Sequence, residues 1–279
     1  MDIVLAESAG FCFGVKRAVN MAFKAANSAE KICSLGPLIH SPQLVEKLEQ
    51  EGINVVHTVA DMDNETVIIR SHGITHSEEE MLQQKGLAVV DATCPFVKKA
   101  QQYAMLLSEE GYAVVIVGEQ EHPEVQGIVS YAAKGDTWVV ANGEEARKVP
   151  GQRKIGLVAQ TTQSFENFSE IAAILLKKSK EMRIYNTICD ATAVRQDEAR
   201  AIAGKVELML VIGGRNSANT SRLASICTSI QPRTFHIETA DDINPDWIDS
   251  CQSIGITAGA STPEWIISEV VARLREIAK

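Results

Sequence analysis

The stretch that decides the fold is AVVIVGEQEHPE, residues 113–124. Its first five residues are apolar and mostly β-branched, which is typical of a strand buried in a parallel sheet. A glycine ends the run, and a polar loop leads to Pro123-Glu124, a common first turn of a helix. The same order occurs in ICSLGPLIHSP, residues 32–42, and in LMLVIGGRNSAN, residues 208–219. Strands and helices that alternate in this way predict an α/β fold with parallel sheets.

The three stretches stand at a fixed distance from a cysteine. One polar residue of each lies 28 positions after a cysteine, and the pairs are Cys12 with His40, Cys94 with His122, and Cys189 with Ser217. Each copy continues to a second polar cluster, which reads SHG at 71–73, QTT at 160–162 and GAST at 259–262. Chance is the alternative, because α/β chains contain many loosely repeating elements. The shared spacing favours a threefold repeat.

The repeat predicts three α/β units and their boundaries. They are residues 12–93, residues 94–188, and residues 189–279 together with the N-terminal strand in 1–11, because the third copy lacks a closing strand that residues 2–6 can supply. We expect a pseudo-threefold, trefoil-like arrangement. Strands are predicted at 32–35, 66–69, 113–117, 155–158 and 208–212, and helices at 16–29, 97–110 and 165–179.

Three of the six cysteines follow predicted strands. Ligands of parallel α/β units gather at the carboxyl ends of strands, so units around one axis would bring Cys12, Cys94 and Cys189 into one central cavity. Three thiolates without histidine suit an iron–sulfur or zinc site. In a cubane cluster, one iron would then lack a protein ligand and could bind a substrate oxygen as a Lewis acid. The remaining cysteines, Cys33, Cys227 and Cys251, are interpreted as small buried hydrophobes. The same interpretation is the alternative for all six cysteines.

The polar loops predict a phosphate-binding pocket. Imidazoles, hydroxyls, an amide and helix N-termini can together hold a diphosphate. A single histidine is more often structural, but recurrence at equivalent loop positions favours binding. The candidates are His40, His72, His122, Ser217, Asn219 and Ser261.

Glu124 has two interpretations. In a closed cavity its pKa would be raised, and it would deliver protons with help from the Thr161 hydroxyl. In the first turn of a helix it would instead stabilise the helix N-terminus. Spacing alone slightly favours the second interpretation.

The charge and hydropathy of the chain exclude two classes of partner. A formal net charge of −9 argues against nonspecific binding to nucleic acid, which needs a basic face. No apolar run approaches the roughly 20 residues that cross a bilayer, so no membrane association is expected. The N-terminal residues lack the pattern of a signal peptide. These observations predict a cytoplasmic protein.

The motifs as a set resemble the 4-hydroxy-3-methylbut-2-enyl diphosphate reductase family, also called LytB. The resemblance covers essentially the whole chain. Each motif is short, but the ordered set is specific: AGFCFGV at 9–15, SHG at 71–73, DATCP at 91–95, EHPE at 121–124, QTT at 160–162, NSAN at 216–219 and GAS at 259–261.

The resemblance implies a three-lobed α/β protein around one [4Fe–4S] cluster per chain, held by Cys12, Cys94 and Cys189. The substrate hydroxyl would bind the iron that lacks a cysteine, and the diphosphate would lie among the candidates above. Two-electron reduction would then remove the hydroxyl and give isopentenyl and dimethylallyl diphosphates, the last step of the non-mevalonate isoprenoid pathway. Glu124 would be the proton source, with Thr161 in the relay, so the resemblance reverses the preference from spacing.

The resemblance also implies an electron donor, ferredoxin or flavodoxin. Lys16, Arg17, Lys98 and Lys99 are a candidate docking patch for it, although exposed helix lysines are usually only solvated. Family members often carry serine where this chain has Ala218, which puts one phosphate hydrogen bond in doubt. The backbone N–H of Ala218 can still donate.

Two other functions remain open. One is a non-redox iron–sulfur dehydratase of the aconitase or quinolinate-synthase kind, which turns over without a reductant. The other is an iron–sulfur or zinc sensor, in which Glu124 would have no catalytic task.

Overall fold

A computed structural model describes residues 1–28, 31–63, 66–249 and 251–277 of the chain. Within these ranges there are twelve strands: β1 (Asp2–Leu5), β2 (Ile32–Leu35), β3 (Ile53–Val56), β4 (Thr66–Ile69), β5 (Ala88–Asp91), β6 (Ala113–Val117), β7 (Thr137–Val140), β8 (Gln152–Ala159), β9 (Ser179–Ile184), β10 (Leu208–Ile212), β11 (Thr234–Ile237) and β12 (Ser253–Ala258). The same ranges contain ten α-helices: α1 (Phe13–Ala26), α2 (Pro42–Gln50), α3 (His76–Lys85), α4 (Pro95–Glu109), α5 (Pro123–Tyr131), α6 (Gly143–Lys148), α7 (Phe165–Leu176), α8 (Asp190–Ala203), α9 (Ala218–Ile230) and α10 (Glu264–Ile277).

The strands form three parallel sheets of four strands each. Their orders are β5-β4-β2-β3, β9-β8-β6-β7 and β1-β12-β10-β11. In every sheet, the strand before the first polar loop (β2, β6 or β10) lies between the next two strands of the same copy. The strand before a cysteine (β5, β9 or β1) lies at the edge. The predicted α/β class with three parallel-sheet units is confirmed. The predicted unit boundaries stay a prediction.

The N-terminal strand closes the third sheet, as predicted. β1 pairs in parallel with β12, with Asp2 opposite Ser253 and Leu5 opposite Ile256. The N–H of Ala6 extends this ladder by donating to the carbonyl of Ile256 over 2.8 Å. A parallel edge strand can be supplied from the far end of the chain, because no tight turn joins it to its neighbour.

Helices cover both faces of the best-buried sheets. All five residues of β6 and of β10 are buried, which explains their unbroken apolar sequence. On β6 and β8, one set of side chains packs against α6 and α7, and the alternate set packs against α4 and α5. On β10 and β12, the corresponding layers come from α10 on one face and from α8 and α9 on the other.

Element ends differ from prediction more than element positions do. Four predicted strands match in full, and the fifth lies inside β8. The helix predicted at 16–29 begins earlier, at Phe13, and its predicted last residue, Ala29, lies outside the described residues. The helix predicted to end at Ser179 stops at Leu176, because Ser179 already pairs with Gln152 at the start of β9.

By its internal contacts the chain divides into two compact units. The first unit contains Met1–Lys16, Ile39–Lys47 and Asp190–Lys279, and the second contains Arg17–Leu38 and Leu48–Cys189. The first unit includes the β1-β12-β10-β11 sheet, and the second includes the other two sheets. In the described part of the chain, no helix combines the length and the apolar character required to span a membrane.

Gly156 leaves room for a helix side chain in the second unit. It lies in β8, and a Cβ built on it would come within 2.7 to 2.9 Å of three side-chain carbons of Leu107, a fully buried residue of α4. We expect Gly156→Ala to lower the free energy of unfolding by about 1–3 kcal/mol, the usual cost of overpacking. Urea unfolding of the metal-free protein measures this.

Gly151→Ala is the control, because the nearest atom to a Cβ there, the Lys178 carbonyl oxygen, is 3.5 Å away. Equal unfolding midpoints for Gly156→Ala and the parent protein would contradict this account of the helix–sheet packing.

Candidate active site

A tight turn recurs at the carboxyl end of one central strand in each sheet. The turn follows β4, β8 and β12, at the second polar cluster of each copy. In each turn an N–H donates to the carbonyl three residues earlier over 3.0 Å, and the pairs are Gly73 with Arg70, Gln163 with Gln160, and Thr262 with Gly259.

The turns bind the three cysteine segments through the backbone. The second residue of each turn accepts a hydrogen bond from a cysteine N–H: Ser71 from Cys94 over 2.9 Å, Thr161 from Cys189 over 3.0 Å, and Ala260 from Cys12 over 3.2 Å. Each cysteine follows the edge strand beside the strand that bears its turn. The three cysteines therefore occupy the same position in three sheets.

Exposure separates these cysteines from the other three. Cys12, Cys94 and Cys189 are half-buried, whereas Cys33, Cys227 and Cys251 are buried among apolar side chains. Burial raises the pKa of the Cys227 thiol to about 11, which keeps it protonated at neutral pH. These surroundings suit the interpretation of Cys33, Cys227 and Cys251 as small hydrophobes. That the other three share one cofactor stays a prediction.

Glu124 makes a tertiary contact. Its residue is 1% exposed, and its Oε1 accepts the Thr161 N–H over 2.6 Å while its Oε2 accepts the Thr161 hydroxyl over 3.0 Å. Burial raises the pKa of this carboxyl to about 7; the two bonds from Thr161 oppose the rise, and the charge of Glu119 adds to it. The cap of α5 is supplied by His122, whose Nδ1 accepts the Glu124 N–H over 3.1 Å.

Thr161 links this carboxyl to a cysteine segment. Its N–H and hydroxyl bind Glu124, and its carbonyl accepts the N–H of Cys189. A single residue therefore sets the position of the buried acid and of the thiol segment in the second unit.

Two candidate histidines lie together in the second unit. The rings of His72 and His122 meet edge to face, with centroids 5.5 Å apart and planes at 87°. Since His122 Nδ1 accepts a hydrogen bond, the neutral ring carries its proton on Nε2. His72 lies in the turn that ends at Gly73, whose φ of +74° favours glycine.

The first unit contains a polar helix N-terminus. Ser217 caps α9, its hydroxyl accepting the Thr220 N–H over 3.4 Å, and Ala218 is the first helical residue. Asn219 is 6% exposed, and neither polar atom of its amide has a hydrogen-bond partner among the described residues. A buried amide without partners is costly in a folded protein, so it points to a ligand.

The remaining candidates of this unit lie against that helix N-terminus. The Ser261 hydroxyl donates to the carbonyl of His40 over 3.1 Å. A Cβ on Gly214 would be 3.1 Å from the same carbonyl oxygen, so the chain around His40 packs directly on the loop before α9. The structure thus brings His40, Ser217, Asn219 and Ser261 into neighbouring segments.

Sequence reasoning left two neighbours of Thr161 without a role. Gln160 is fully buried, and its Oε1 accepts the Glu119 N–H over 3.2 Å. Its Nε2 and the Thr162 hydroxyl are buried without a hydrogen-bond partner in the described part of the chain. Both residues belong to the QTT cluster at 160–162, and their place in this recurrent cluster could have predicted a role in the site.

Two charged side chains of the candidate docking patch make polar contacts within the protein. Arg17 donates to the carbonyls of Asp91 and Thr93, and Lys98 forms an ion pair with Asp91. The docking patch stays a prediction.

Comparison with known proteins gives one family. Residues 3–275 match the model of the LytB protein family. The chain is 61% identical to the 4-hydroxy-3-methylbut-2-enyl diphosphate reductase of Syntrophotalea carbinolica, over all of both chains. It is 58% identical to the enzyme of the same name from Geobacter metallireducens, over 99% of this chain and 98% of the relative.

Two solved structures resemble the whole chain. A structure of (E)-4-hydroxy-3-methyl-but-2-enyl diphosphate reductase, the terminal enzyme of the non-mevalonate pathway, is 45% identical, with a TM-score of 0.71 over 99% of this chain and 100% of that one. The E-1-hydroxy-2-methyl-but-2-enyl-4-diphosphate reductase of Plasmodium falciparum is 28% identical, with a TM-score of 0.92 over 97% of this chain and 87% of that one. The motifs, the three sheets and these full-length matches agree: the chain belongs to the LytB protein family.

Proposed function

We propose that the chain is an iron–sulfur oxidoreductase that removes the hydroxyl group of 4-hydroxy-3-methylbut-2-enyl diphosphate. The products are isopentenyl and dimethylallyl diphosphates, and the reaction is the last step of the non-mevalonate isoprenoid pathway. Family membership and the names of the full-length relatives support this. The observation that carries the proposal is the Glu124–Thr161 contact, because it places a buried acid with a pKa of about 7 on the residue that binds the Cys189 segment.

The cysteines fit a [4Fe–4S] cluster, one per chain. Cys12, Cys94 and Cys189 would hold it. They share one position at the ends of three sheets, they are half-buried, and thiolates are the usual ligands of iron–sulfur clusters. When bound, the cluster would pass on two electrons from an external donor and would offer a Lewis-acidic iron to the hydroxyl group.

Glu124 supplies a proton. A carboxyl with a pKa of about 7 is protonated in a large fraction of molecules at neutral pH, whereas an ordinary glutamate is not. The reaction consumes two protons, one that leaves with the hydroxyl as water and one that ends on carbon. The Thr161 hydroxyl lies 3.0 Å from Glu124 Oε2, so it can accept the proton of the Glu124 carboxyl and pass it on.

The proposed diphosphate ligands are the candidates named from the sequence. In the first unit they are the His40 ring, the Ser217 and Ser261 hydroxyls, the Asn219 amide and the Ala218 N–H. The last three residues of the NSAN motif stand at the N-terminus of α9, where the helix dipole favours an anion. In the second unit, His72 and His122 add ring N–H donors.

A reductase needs a source of electrons. We propose ferredoxin or flavodoxin as the donor and the cytoplasm as the location, with neither nucleic acid nor membrane as a partner. The net charge of −9 opposes nucleic acid.

Glu124→Gln keeps the shape of the side chain and removes its proton. We expect kcat to fall by about 10²–10⁴-fold, the usual contribution of a general acid, while iron content and the affinity for a diphosphate inhibitor stay unchanged. Anaerobic turnover with a chemical reductant measures kcat. Glu121→Gln, an exposed acid of the same loop, is the control and should match the parent protein. Normal turnover by Glu124→Gln would exclude it as the proton donor.

The pH profile should report the Glu124 carboxyl. Its protonated form is the active one, so kcat should fall as pH rises through about 7. The Thr161 hydroxyl lowers this pKa by binding the carboxylate, so Thr161→Val should move the fall in kcat to higher pH. Thr161→Ser keeps the hydroxyl and should keep the profile. An unshifted profile in Thr161→Val would contradict the assignment.

Asn219→Leu replaces the buried amide by an apolar group of similar size. Loss of a hydrogen bond to a charged phosphate should raise KM by about 10–100-fold with a smaller change in kcat. The melting temperature of the metal-free protein should stay or rise, because the amide has no hydrogen-bond partner among the residues that the structure describes. Ser225→Ala, on an exposed position of α9, is the control. A lower melting temperature with an unchanged KM would make Asn219 structural.

A further inference from the structure

The helix after Cys189 holds the segment that precedes Cys12. Glu198 of α8 directs its carboxylate at the backbone of this segment, and its oxygens accept the Glu7 N–H over 2.6 Å and the Ser8 N–H over 2.9 Å. The Ser8 hydroxyl donates to the same carboxylate. Three donors on one carboxylate form a charge-assisted clamp.

Arg195 completes this clamp from the neighbouring turn of α8. The residue is buried, and its Nη2 donates to the carbonyl of Ser8 over 2.5 Å and to that of Gly10 over 2.7 Å. The N–H and carbonyl groups of one short segment are thus bound by two opposite charges of the same helix.

The helix after Cys12 makes the corresponding contact ahead of Cys94. Arg17 of α1 donates from Nη1 to the Thr93 carbonyl over 3.1 Å and from Nη2 to the Asp91 carbonyl over 3.3 Å. As with Arg195, a guanidinium one or two turns beyond one cysteine binds the carbonyls just before the next.

The helix after Cys94 reaches ahead of Cys189 by different chemistry. Tyr103 of α4 stacks on Tyr185, with ring centroids 3.9 Å apart and planes at 6°. Lys99 stands five positions after Cys94, as Arg17 does after Cys12, but its ammonium lies over the Tyr103 ring at 5.7 Å. Aromatic stacking here replaces the guanidinium–carbonyl bonds.

We propose that each cysteine is positioned by the helix that follows another cysteine, in cyclic order along the chain. Arg17 positions Cys94, Tyr103 positions Cys189, and Arg195 with Glu198 positions Cys12. The inference rests on the proposed function in taking the cysteines as cluster ligands. Residues that orient metal ligands through hydrogen bonds and packing commonly set the geometry of the site.

The arrangement predicts a crossed response to substitution. A substitution on one helix should raise the reactivity of the next cysteine in the cycle. It should leave the reactivity of the cysteine at the start of its own helix unchanged. A general loss of stability would instead expose thiols together: all three if the whole chain unfolds, or Cys94 with Cys189 if the second unit unfolds.

Alkylation of the reduced, metal-free protein by iodoacetamide, with the three thiols quantified by peptide mass spectrometry, tests this. Glu198→Gln should speed modification of Cys12, and Arg17→Gln that of Cys94, each by about tenfold, the factor expected for a hydrogen bond to a charged group. Tyr103→Leu should speed modification of Cys189 by about 2–10-fold, the range for an aromatic pair. Amide hydrogen exchange of Glu7 and Ser8 should also quicken in Glu198→Gln.

Matched controls come from exposed positions of the same helices: Asp197→Asn on α8, Lys24→Gln on α1 and Met105→Leu on α4. They should leave all three rates unchanged. Equal acceleration at every thiol, or acceleration at the cysteine that precedes the substituted helix, would overturn the proposal. Because no cluster is needed, failure of the crossed pattern in a protein that still reduces the diphosphate substrate would remove this inference alone and leave the proposed function intact.

Discussion

One backbone hydrogen bond, repeated in three sheets, holds each of the three cysteine segments at the end of its sheet. It runs from a cysteine N–H to the carbonyl two residues beyond the adjacent strand, at Ser71, Thr161 and Ala260. The carboxyl end of a parallel sheet leaves such carbonyls without a ladder partner, and a buried backbone group needs one. The edge-strand segment supplies it, and the cysteine is thereby fixed at the end of the sheet where ligands of α/β proteins bind.

The same turn position carries a different side chain in each copy. The Ser71 hydroxyl donates to the carbonyl of Leu38, the Thr161 hydroxyl donates to Glu124, and Ala260 has no polar side chain. The backbone task is therefore common to three sheets, while the side chain is free to specialise. In the second copy this side chain meets a buried carboxyl, that of Glu124, which is the proposed proton donor.

Sequence patterns predicted the structural features that depend on residues close together in the chain. Unbroken apolar runs identified β6 and β10 because both faces of these strands are covered. The role of Glu124 was not readable from spacing, since a first-turn acid looks the same whether it caps a helix or faces a partner. Its partner, Thr161, is 37 positions away, and the cap came from His122. The end of α7 was missed for a similar reason, because pairing with β8 drew Ser179 into a strand.

The contacts between helices and cysteine segments show why a repeat can be stronger in structure than in sequence. Arg17 and Arg195 bind carbonyls, whereas Tyr103 stacks on a ring, so no residue type recurs at all three positions. The spacing also drifts, since Arg17 lies five positions after its cysteine and Arg195 six. What each sheet requires is a segment held in place, and either hydrogen bonds or aromatic packing can hold it. Identity of side chains is therefore a poor guide to this part of the architecture, and the positions of the helices are a better one.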